Sequence, residues 1–369
     1  MEQDNKSGSI QPGINISIIG LGLMGGSLAK AWKNSDSRVF ITAFDRENVL
    51  DSALKQKVID RKALSVKDAC DSDIIFLCLP TDQSLLVLEQ IAPAVKEGTL
   101  ITDIAGVKSA FEVEWNRLKS SGEYIGGHPM TGKEKGGFEN SDPLLFENAV
   151  YILSDKKIES AKYNILVNLI TLLGARIKFL DPFLHDEIIA NVSHLPQLLS
   201  VALVNSAALT KGDTNYLDFA AGGFRDMTRI ASSSFDIWEP VIKNNKDSIL
   251  KALDNFEHNI KLIKENIILG NYETLAHCFE SSRAKRDEIP KNTKGFINPL
   301  VDLFVFVKDE PGVLSKLTGI LSENDINIKD MELLKIREGT GGTFRISFES
   351  AREAEMASKL IEEIGFRIK

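Results

Sequence analysis

His128 stands in the segment Gly126-Gly127-His128-Pro129-Met130-Thr131-Gly132, just past a short β-rich run. A neutral imidazole can accept a proton near neutral pH. In open α/β sheets ligands bind beyond the carboxyl ends of the strands, which is where such a base belongs. A loop histidine capping a turn accounts for the same residues. A second stretch, Gly222-Gly223-Phe224-Arg225-Asp226-Met227-Thr228-Arg229-Ile230-Ala231, carries two guanidinium forks able to clamp a carboxylate through paired hydrogen bonds. A solvated helix end with Asp226 and Arg229 paired at i,i+3 is the alternative.

A third stretch is a cofactor signal. Gly20-Leu21-Gly22-Leu23-Met24-Gly25 sets G-x-G-x-x-G between a strand and a helix. The first glycine permits the tight turn, the second lets a pyrophosphate approach the backbone, and the third lets helix and strand pack closely. The helix N-terminus then offers unpaired N–H groups to the phosphates. The next strand, Val39–Phe44, ends in Asp45, twenty residues after Gly25. A carboxylate there accepts from both ribose hydroxyls and repels a 2′-phosphate, favouring NAD over NADP. Arg46 beside it could hold that extra phosphate, which leaves the selectivity open.

The elements that must position these residues fall into three blocks. In residues 14–180 strands alternate with helices such as Asp82–Val95 and Ile158–Leu173. The expected strands are Ile14–Ile19, Val39–Phe44, Asp73–Leu79, Thr99–Thr102, Tyr124–Ile125, Val150–Leu153 and Arg176–Phe179. Nearly continuous apolar runs in the second and third predict strands buried on both faces of a parallel, Rossmann-like sheet. Residues 181–292 read as all-α: Asp181-Pro182 caps a long helix that Pro196 should kink, and a second runs from about Pro240 to Leu269. Pro290–Gly295 reads as a linker. Residues 297–369 read as βαββαβ, a ferredoxin-like α+β plan: a strand Val301–Val307, a helix from Pro311, strands Ile326–Ile336 and Thr343–Phe348 about a turn at Glu338–Gly342, a helix Ala351–Ile364 and a last strand Phe366–Ile368. Residues 1–13 read as a disordered tail.

Taken together, Gly20–Gly26, Asp73–Pro80, Thr102–Lys108, Gly126–Gly132, Leu145–Ala149, His185-Asp186, Ser193-His194-Leu195-Pro196, Gly222–Ala231 and Trp238 resemble the prephenate dehydrogenase family in order and spacing. The resemblance spans roughly Ile14 to Pro290. The third block, with Asp309-Glu310-Pro311-Gly312-Val313-Leu314 opening its helix, resembles an ACT domain, an amino-acid-sensing module. The resemblance implies NAD-dependent oxidative decarboxylation of prephenate to 4-hydroxyphenylpyruvate and carbon dioxide, on the route to tyrosine. It implies His128 as the base, Arg229 as the substrate-carboxylate ligand, and Leu79 and Pro80 beside the cofactor turn. It also implies a homodimer through the helical block. Tyrosine or another aromatic amino acid is the implied effector, held near Asp309, Pro311, Gly312, Val313 and Leu314.

Lesser positions carry two readings each. His194 lines the site or is a satisfied core histidine; Asp226 gates the pocket or holds Arg229; Trp238 anchors the core or flanks the substrate. Lys108 reaches the nicotinamide-side ligand or, the safer reading, is an exposed helix-start lysine, and His185-Asp186 reads as a structural pair serving helix capping and packing. Cys70, Cys78, His258 and His277 also read as structural. Two positions depart from the family pattern. Gly106 stands where family members usually carry serine, and Gln197 ends the family's Ser-His-Leu-Pro-His. Gln197 cannot become cationic, which leaves arogenate open as an alternative substrate.

Composition bounds the rest. The 369 residues are 43% hydrophobic and 26% charged, ordinary for folded domains, with a formal net charge of −8. That charge argues against a nucleic-acid coat or an anionic-membrane binder. No apolar run is expected to approach the ~20 residues of a membrane span, and the polar start is no signal peptide. Three cysteines without C-x-x-C spacing predict neither zinc nor disulfides, so no metal is expected and a reducing cytoplasm fits. Two rivals stand beside the main reading. A 3-hydroxyacid dehydrogenase would need a lysine base that the helical block does not present. A non-catalytic NAD- and amino-acid-responsive regulator would leave His128 and Arg229 without a purpose.

Overall fold

Alternate residues of the central strands feed two different cores. Ile14, Ile16, Ile18, Ile74, Phe76 and Leu100 pack on one face with Trp32, while Ile19, Ile75, Leu77 and Ile101 pack on the other with Phe111. Strands buried on both sides cannot alternate apolar with polar, which is why the runs look continuous. These observations come from a computed structural model that describes residues 13–35, 38–133, 135–155, 160–288, 300–337 and 341–368. The expected tail, the helix start at Ile158, the Pro290–Gly295 linker and most of the Glu338–Gly342 turn lie outside those residues.

The first block alternates β1 (Ile14–Ile19), α1 (Leu23–Ser35), β2 (Val39–Phe44), α2 (Glu47–Lys55), β3 (Arg61–Lys62), β4 (Ile74–Leu77), α3 (Thr81–Ile91), β5 (Leu100–Asp103), α4 (Ser109–Arg117) and β6 (Glu123–Ile125). The strands form an all-parallel sheet in the order β3-β2-β1-β4-β5-β6. The order reverses between β1 and β4, the switch point where dinucleotides bind. The third strand is shorter than Asp73–Leu79, because Cys78 and Leu79 leave the ladder to wall that crevice. A second sheet follows: β7 (Gly127–Pro129) runs antiparallel to β8 (Val150–Ser154), which pairs parallel with β9 (Arg176–Leu180), with α5 (Ala161–Leu172) between β8 and β9.

α6 (Pro182–Ile189) opens on Asp181, whose carboxylate accepts from Phe183 and Leu184 N–H. It passes through a π-helical turn, Ala190–His194, into α7 (Leu195–Ala207). Leu195 N–H reaches back five residues to the Ala190 carbonyl. The expected Pro196 kink is thus a widened turn, placed just before the residue that has no N–H to give. The run Pro182–Ala207 has the length and a mean hydropathy of 1.3 that a membrane span would need. The expectation that no segment approaches that length is corrected. The same run buries the polar side chains His185, Asp186, His194 and Gln197 within the protein.

A short hairpin, β10 (Thr210–Lys211) with β11 (Thr214–Asn215), leads to α8 (Gly222–Thr228), α9 (Phe235–Asn244), α10 (Lys246–Ile268) and α11 (Tyr272–Glu288). Pro240 lies inside α9 rather than starting a helix; the break falls at Asn245, whose amide turns inward. Residues 1–276 cluster as one unit and 277–369 as another. The second unit contains β12 (Val301–Val307), α12 (Val313–Glu323), β13 (Asp330–Arg337), β14 (Gly341–Phe348), α13 (Ala351–Glu363) and β15 (Arg367–Ile368), in the antiparallel order β13-β14-β12-β15. Leu317, Leu321, Ile346, Phe348 and Ile361 fill its core. Its first helix starts at Val313, after Gly312 at φ +87°, rather than at Pro311. Its second strand starts at Asp330 rather than Ile326, which caps the core instead.

Candidate active site

The glycine turn is shaped by close approach. Gly20 has φ +100°, and a Cβ on Gly25 would collide with the Gly20 carbonyl. A Cβ on Gly22 would meet nothing within 4 Å, so this backbone faces open space at the start of α1. Asp45, at the end of β2, accepts from Leu21 N–H at 2.5 Å and Arg46 N–H at 2.6 Å. Each carboxylate oxygen keeps a lone pair for a ribose hydroxyl. Leu79 and Pro80 follow β4 on the other side of Gly20, and Leu23 and Met24 begin α1. Arg46 is exposed beside Asp45. This cradle fits NAD.

His128 lies on β7, next to the carboxyl end of β5. That packing needs glycine: a Cβ on Gly127 would sit 2.5 Å from the Asp103 carbonyl. Lys108, expected to be exposed, is buried at 1% exposure. Its ammonium binds Asp103 and donates to the Gly127 carbonyl at 2.7 Å. Tyr124 hydroxyl donates to the other Asp103 oxygen at 2.5 Å. Burial pulls the Lys108 ammonium below its usual range, against the attraction of Asp103. Breaking such a buried pair by removing one partner typically costs ~3–5 kcal/mol, so this lysine belongs to the floor under His128.

His128 Nδ1 lies 2.8 Å from His185 Nε2, and His185 Nδ1 lies 2.8 Å from Asp186 Oδ1. Asp186 Oδ1 also accepts from Lys108 N–H at 2.7 Å. Its Oδ2 accepts from Ser109 N–H at 2.8 Å and from the Ser109 hydroxyl. Burial would raise the Asp186 carboxyl, but these donors together with His185 hold it below its usual range. His185-Asp186 is therefore not the capping pair expected, since Asp181 caps α6 and His185 is bonded to His128. Burial first, then His185, Lys108 and His194, holds the His128 imidazole well below 6.5, so it is neutral at physiological pH. Among the described residues its Nε2 makes no hydrogen bond. That atom faces Gly106, where a Cβ would stand 3.8 Å away.

From this triad the helical elements extend the site. Asn245 Nδ2 donates to the Asp186 carbonyl at 2.8 Å and lies 3.3 Å from His194 Nδ1. His194 packs edge-on against Trp238, centroids 5.9 Å apart, and burial depresses it to about 4. One turn on, buried Gln197 donates through Nε2 to the Ile230 carbonyl at 3.0 Å, fixing the segment that carries Arg229. Arg229 and Asp226 are both exposed, at the start of a 3-10 turn and in α8. The contacts thus join His128, His185, Asp186, Asn245, His194 and Trp238 in one series; Gln197, one helical turn from His194, bonds instead to the backbone neighbour of Arg229. Asp103, Tyr124 and Asn245 were missed by sequence reasoning, and Lys108 was expected on the surface. An adjacent His-Asp pair within an apolar helix was a readable signal for 185 and 186, whereas Asn245 offered none. His258 and His277 are exposed on α10 and α11. No group of three or more potential metal ligands occurs among the described residues.

In the second unit a cavity of about 370 Å³ is lined by Asp309, Gly312, Val313 and Leu314 together with Leu333 and Phe344. Four of the five expected regulatory residues thus face one space, and Pro311 does not line it.

A parallel sheet of this order, with a glycine cradle at its switch point and a half-buried histidine beyond its strands, defines a Rossmann-type, NAD-dependent oxidoreductase. Residues 28–179 match the prephenate dehydrogenase nucleotide-binding domain, 181–281 the prephenate dehydrogenase dimerization domain, and 301–364 the ACT domain. A prephenate dehydrogenase of Bacillus subtilis is 34% identical over 353 residues, covering 94% of this chain and 95% of that one. One from Lactococcus lactis is 36% identical over 353 residues, covering 94% and 97%. The solved prephenate dehydrogenase of A. aeolicus, in complex with hydroxyphenyl propionate and NAD+, is 28% identical with a TM-score of 0.68. It covers 77% of this chain and 100% of its own. The chain belongs to the prephenate dehydrogenase family, in the form that carries a C-terminal ACT domain.

Proposed function

We propose that the protein oxidatively decarboxylates prephenate to 4-hydroxyphenylpyruvate, with His128 as the proton acceptor. NAD, when bound, supplies the hydride acceptor. Neutral His128 takes the ring hydroxyl proton on Nε2, the atom left open toward Gly106. Loss of carbon dioxide makes the ring aromatic, so the reaction runs one way. Arg229 holds a substrate carboxylate and fixes the ring's orientation, a positioning role. His194, Gln197, Asp226 and Trp238 shape the substrate side. Gly20, Leu21, Gly22, Leu23, Met24, Gly25, Asp45, Arg46, Leu79 and Pro80 hold the cofactor. The observation that carries this reading is the neutral, half-buried imidazole whose Nε2 makes no hydrogen bond among the described residues, next to the carboxyl end of β5 in the unit that holds the glycine cradle.

The cofactor domain is assigned to 14–180, the helical substrate and dimerisation domain to 181–292, and the ACT domain to 297–369. A homodimer formed through the helical domain accounts for its exposed apolar side chains, among them Phe183, Ile188, Val192 and Phe219. The ACT cavity takes tyrosine or another aromatic amino acid and inhibits turnover. A cytoplasmic setting agrees with three free cysteines. Arogenate remains a second substrate reading because Gln197 is neutral and its amide is spent on Ile230. Initial rates on prephenate and arogenate, each with NAD and NADP, test the proposal. Prephenate with NAD should be fastest; a preference for arogenate of tenfold or more (~1.4 kcal/mol) would reassign the substrate.

A further inference from the structure

We infer that His185 and Asp186 are positioning residues that lock His128 in its Nδ1–H tautomer, so that Nε2 alone carries the accepting lone pair. This rests on His128 being the base. Asp186 Oδ1 is acceptor-only, so the atom facing it at 2.8 Å, His185 Nδ1, must carry a hydrogen. With Nδ1 carrying the one ring hydrogen of His185, its Nε2 presents a lone pair, and the atom 2.8 Å away, His128 Nδ1, donates to it. The remaining nitrogen, His128 Nε2, is unprotonated and faces Gly106. The direction of the chain is set at its far end. Lys108 and Ser109 N–H groups and the Ser109 hydroxyl all point at the Asp186 carboxylate and fix it as an acceptor.

The arrangement also serves the product of the proton transfer. When Nε2 takes the substrate proton, the imidazolium forms within reach of one carboxylate, Asp186, acting through His185. The other charged or titratable groups facing it, His185 itself, Lys108 and His194, do not help: His185 and Lys108 oppose it, and His194 is neutral above about 4. One proton moves, from the substrate oxygen to Nε2, and the two inner hydrogen bonds shorten without transfer. A histidine oriented this way does not depend on a hydroxyl at position 106, where this chain has glycine.

The tautomer can be read in the intact protein, unmutated, from two-bond ¹H–¹⁵N spectra of histidine-labelled full-length chain, with His128 assigned by its loss in His128→Asn. His128 should show a protonated Nδ1 and an unprotonated Nε2; the reverse tautomer would overturn the inference. A kinetic arm uses two variants. His185→Gln keeps an acceptor for His128 and a donor for Asp186, and should hold kcat within about tenfold of the parent. His185→Phe keeps the ring volume but neither bond. It should lower kcat by roughly 10²-fold with KM for prephenate and Kd for NAD changed less than about threefold. The pH at which kcat/KM is half-lost should also move away from the parental value, because His185 is one of the groups that set the His128 imidazole. Parental kcat and pH profile in His185→Phe would overturn the positioning role. Parental turnover in His128→Asn would instead remove the base itself, so the two failures are distinguishable.

Discussion

An imidazole that must take a proton from a substrate hydroxyl has to be neutral beforehand, and burial beside Lys108, His185 and His194 keeps His128 so. The sign of its pH dependence follows. A base is lost when it protonates, so kcat/KM for prephenate should stay level from pH 8 through 6.5 and decline only at lower pH. A half-loss at or above 6.5 would contradict the depressed His128. His194 makes a separate prediction about stability. Its folded value is about 4 against 6.5 when unfolded, so the unfolded chain binds the extra proton between those values. Stability is therefore present above pH 6.5 and falls as the pH drops toward 4, by up to ~3 kcal/mol from this residue. Thermal melts of the parent and His194→Asn across that window should converge at low pH; parallel curves would refute the assignment. Arg229→Gln should mainly raise KM for prephenate, by roughly tenfold or more for a lost charged hydrogen bond. An unchanged KM would remove the clamp. At this scale the sequence singled out His128 and Arg229 as candidates, because their glycine-flanked settings are unusual. It concealed Lys108, whose burial depends on a carboxylate at Asp103 and a carbonyl at Gly127, two strands that meet only in the fold.

Among the elements, the turn between β1 and α1 is the most constrained. Gly25→Ala sets a methyl against the Gly20 carbonyl, so helix and strand must separate. NAD affinity should fall by at least tenfold (~1.4 kcal/mol) by titration calorimetry, while Gly22→Ala, with open space at its Cβ, should retain the fold and weaken only the cofactor. Equal affinity in Gly25→Ala and the parent would show the cradle to be misassigned. β1 and β2 were legible to the residue because both faces are buried and the letters change abruptly at their ends. Helix breaks were less legible. Pro196 and Pro240 look alike in sequence, yet one follows a π turn and the other sits inside α9. The difference lies in tertiary partners: His194 and Asn245 are drawn toward Asp186 and each other, and the chain deforms to let them meet. A local pattern holds no record of that pull.

For the whole molecule, catalytic and regulatory parts occupy separate compact units, with the His128 series in the first and the ligand-sized cavity of Asp309, Gly312 and Leu314 in the second. Ending the chain at Gly295 should spare turnover and abolish inhibition by an aromatic amino acid; inhibition that survives would put the effector at the active site. The proposed site in the first unit draws on both its blocks, since Asp186 and His194 come from the helices while His128 and the glycine cradle come from the strands. The most direct test follows NADH absorbance on mixing prephenate and NAD with the parent and with His128→Asn, alongside NAD affinity for both. The account predicts one NADH per 4-hydroxyphenylpyruvate for the parent. For the variant it predicts a rate lower by ~10²-fold or more with NAD binding intact. A variant that still turns prephenate over at the parental rate would contradict it.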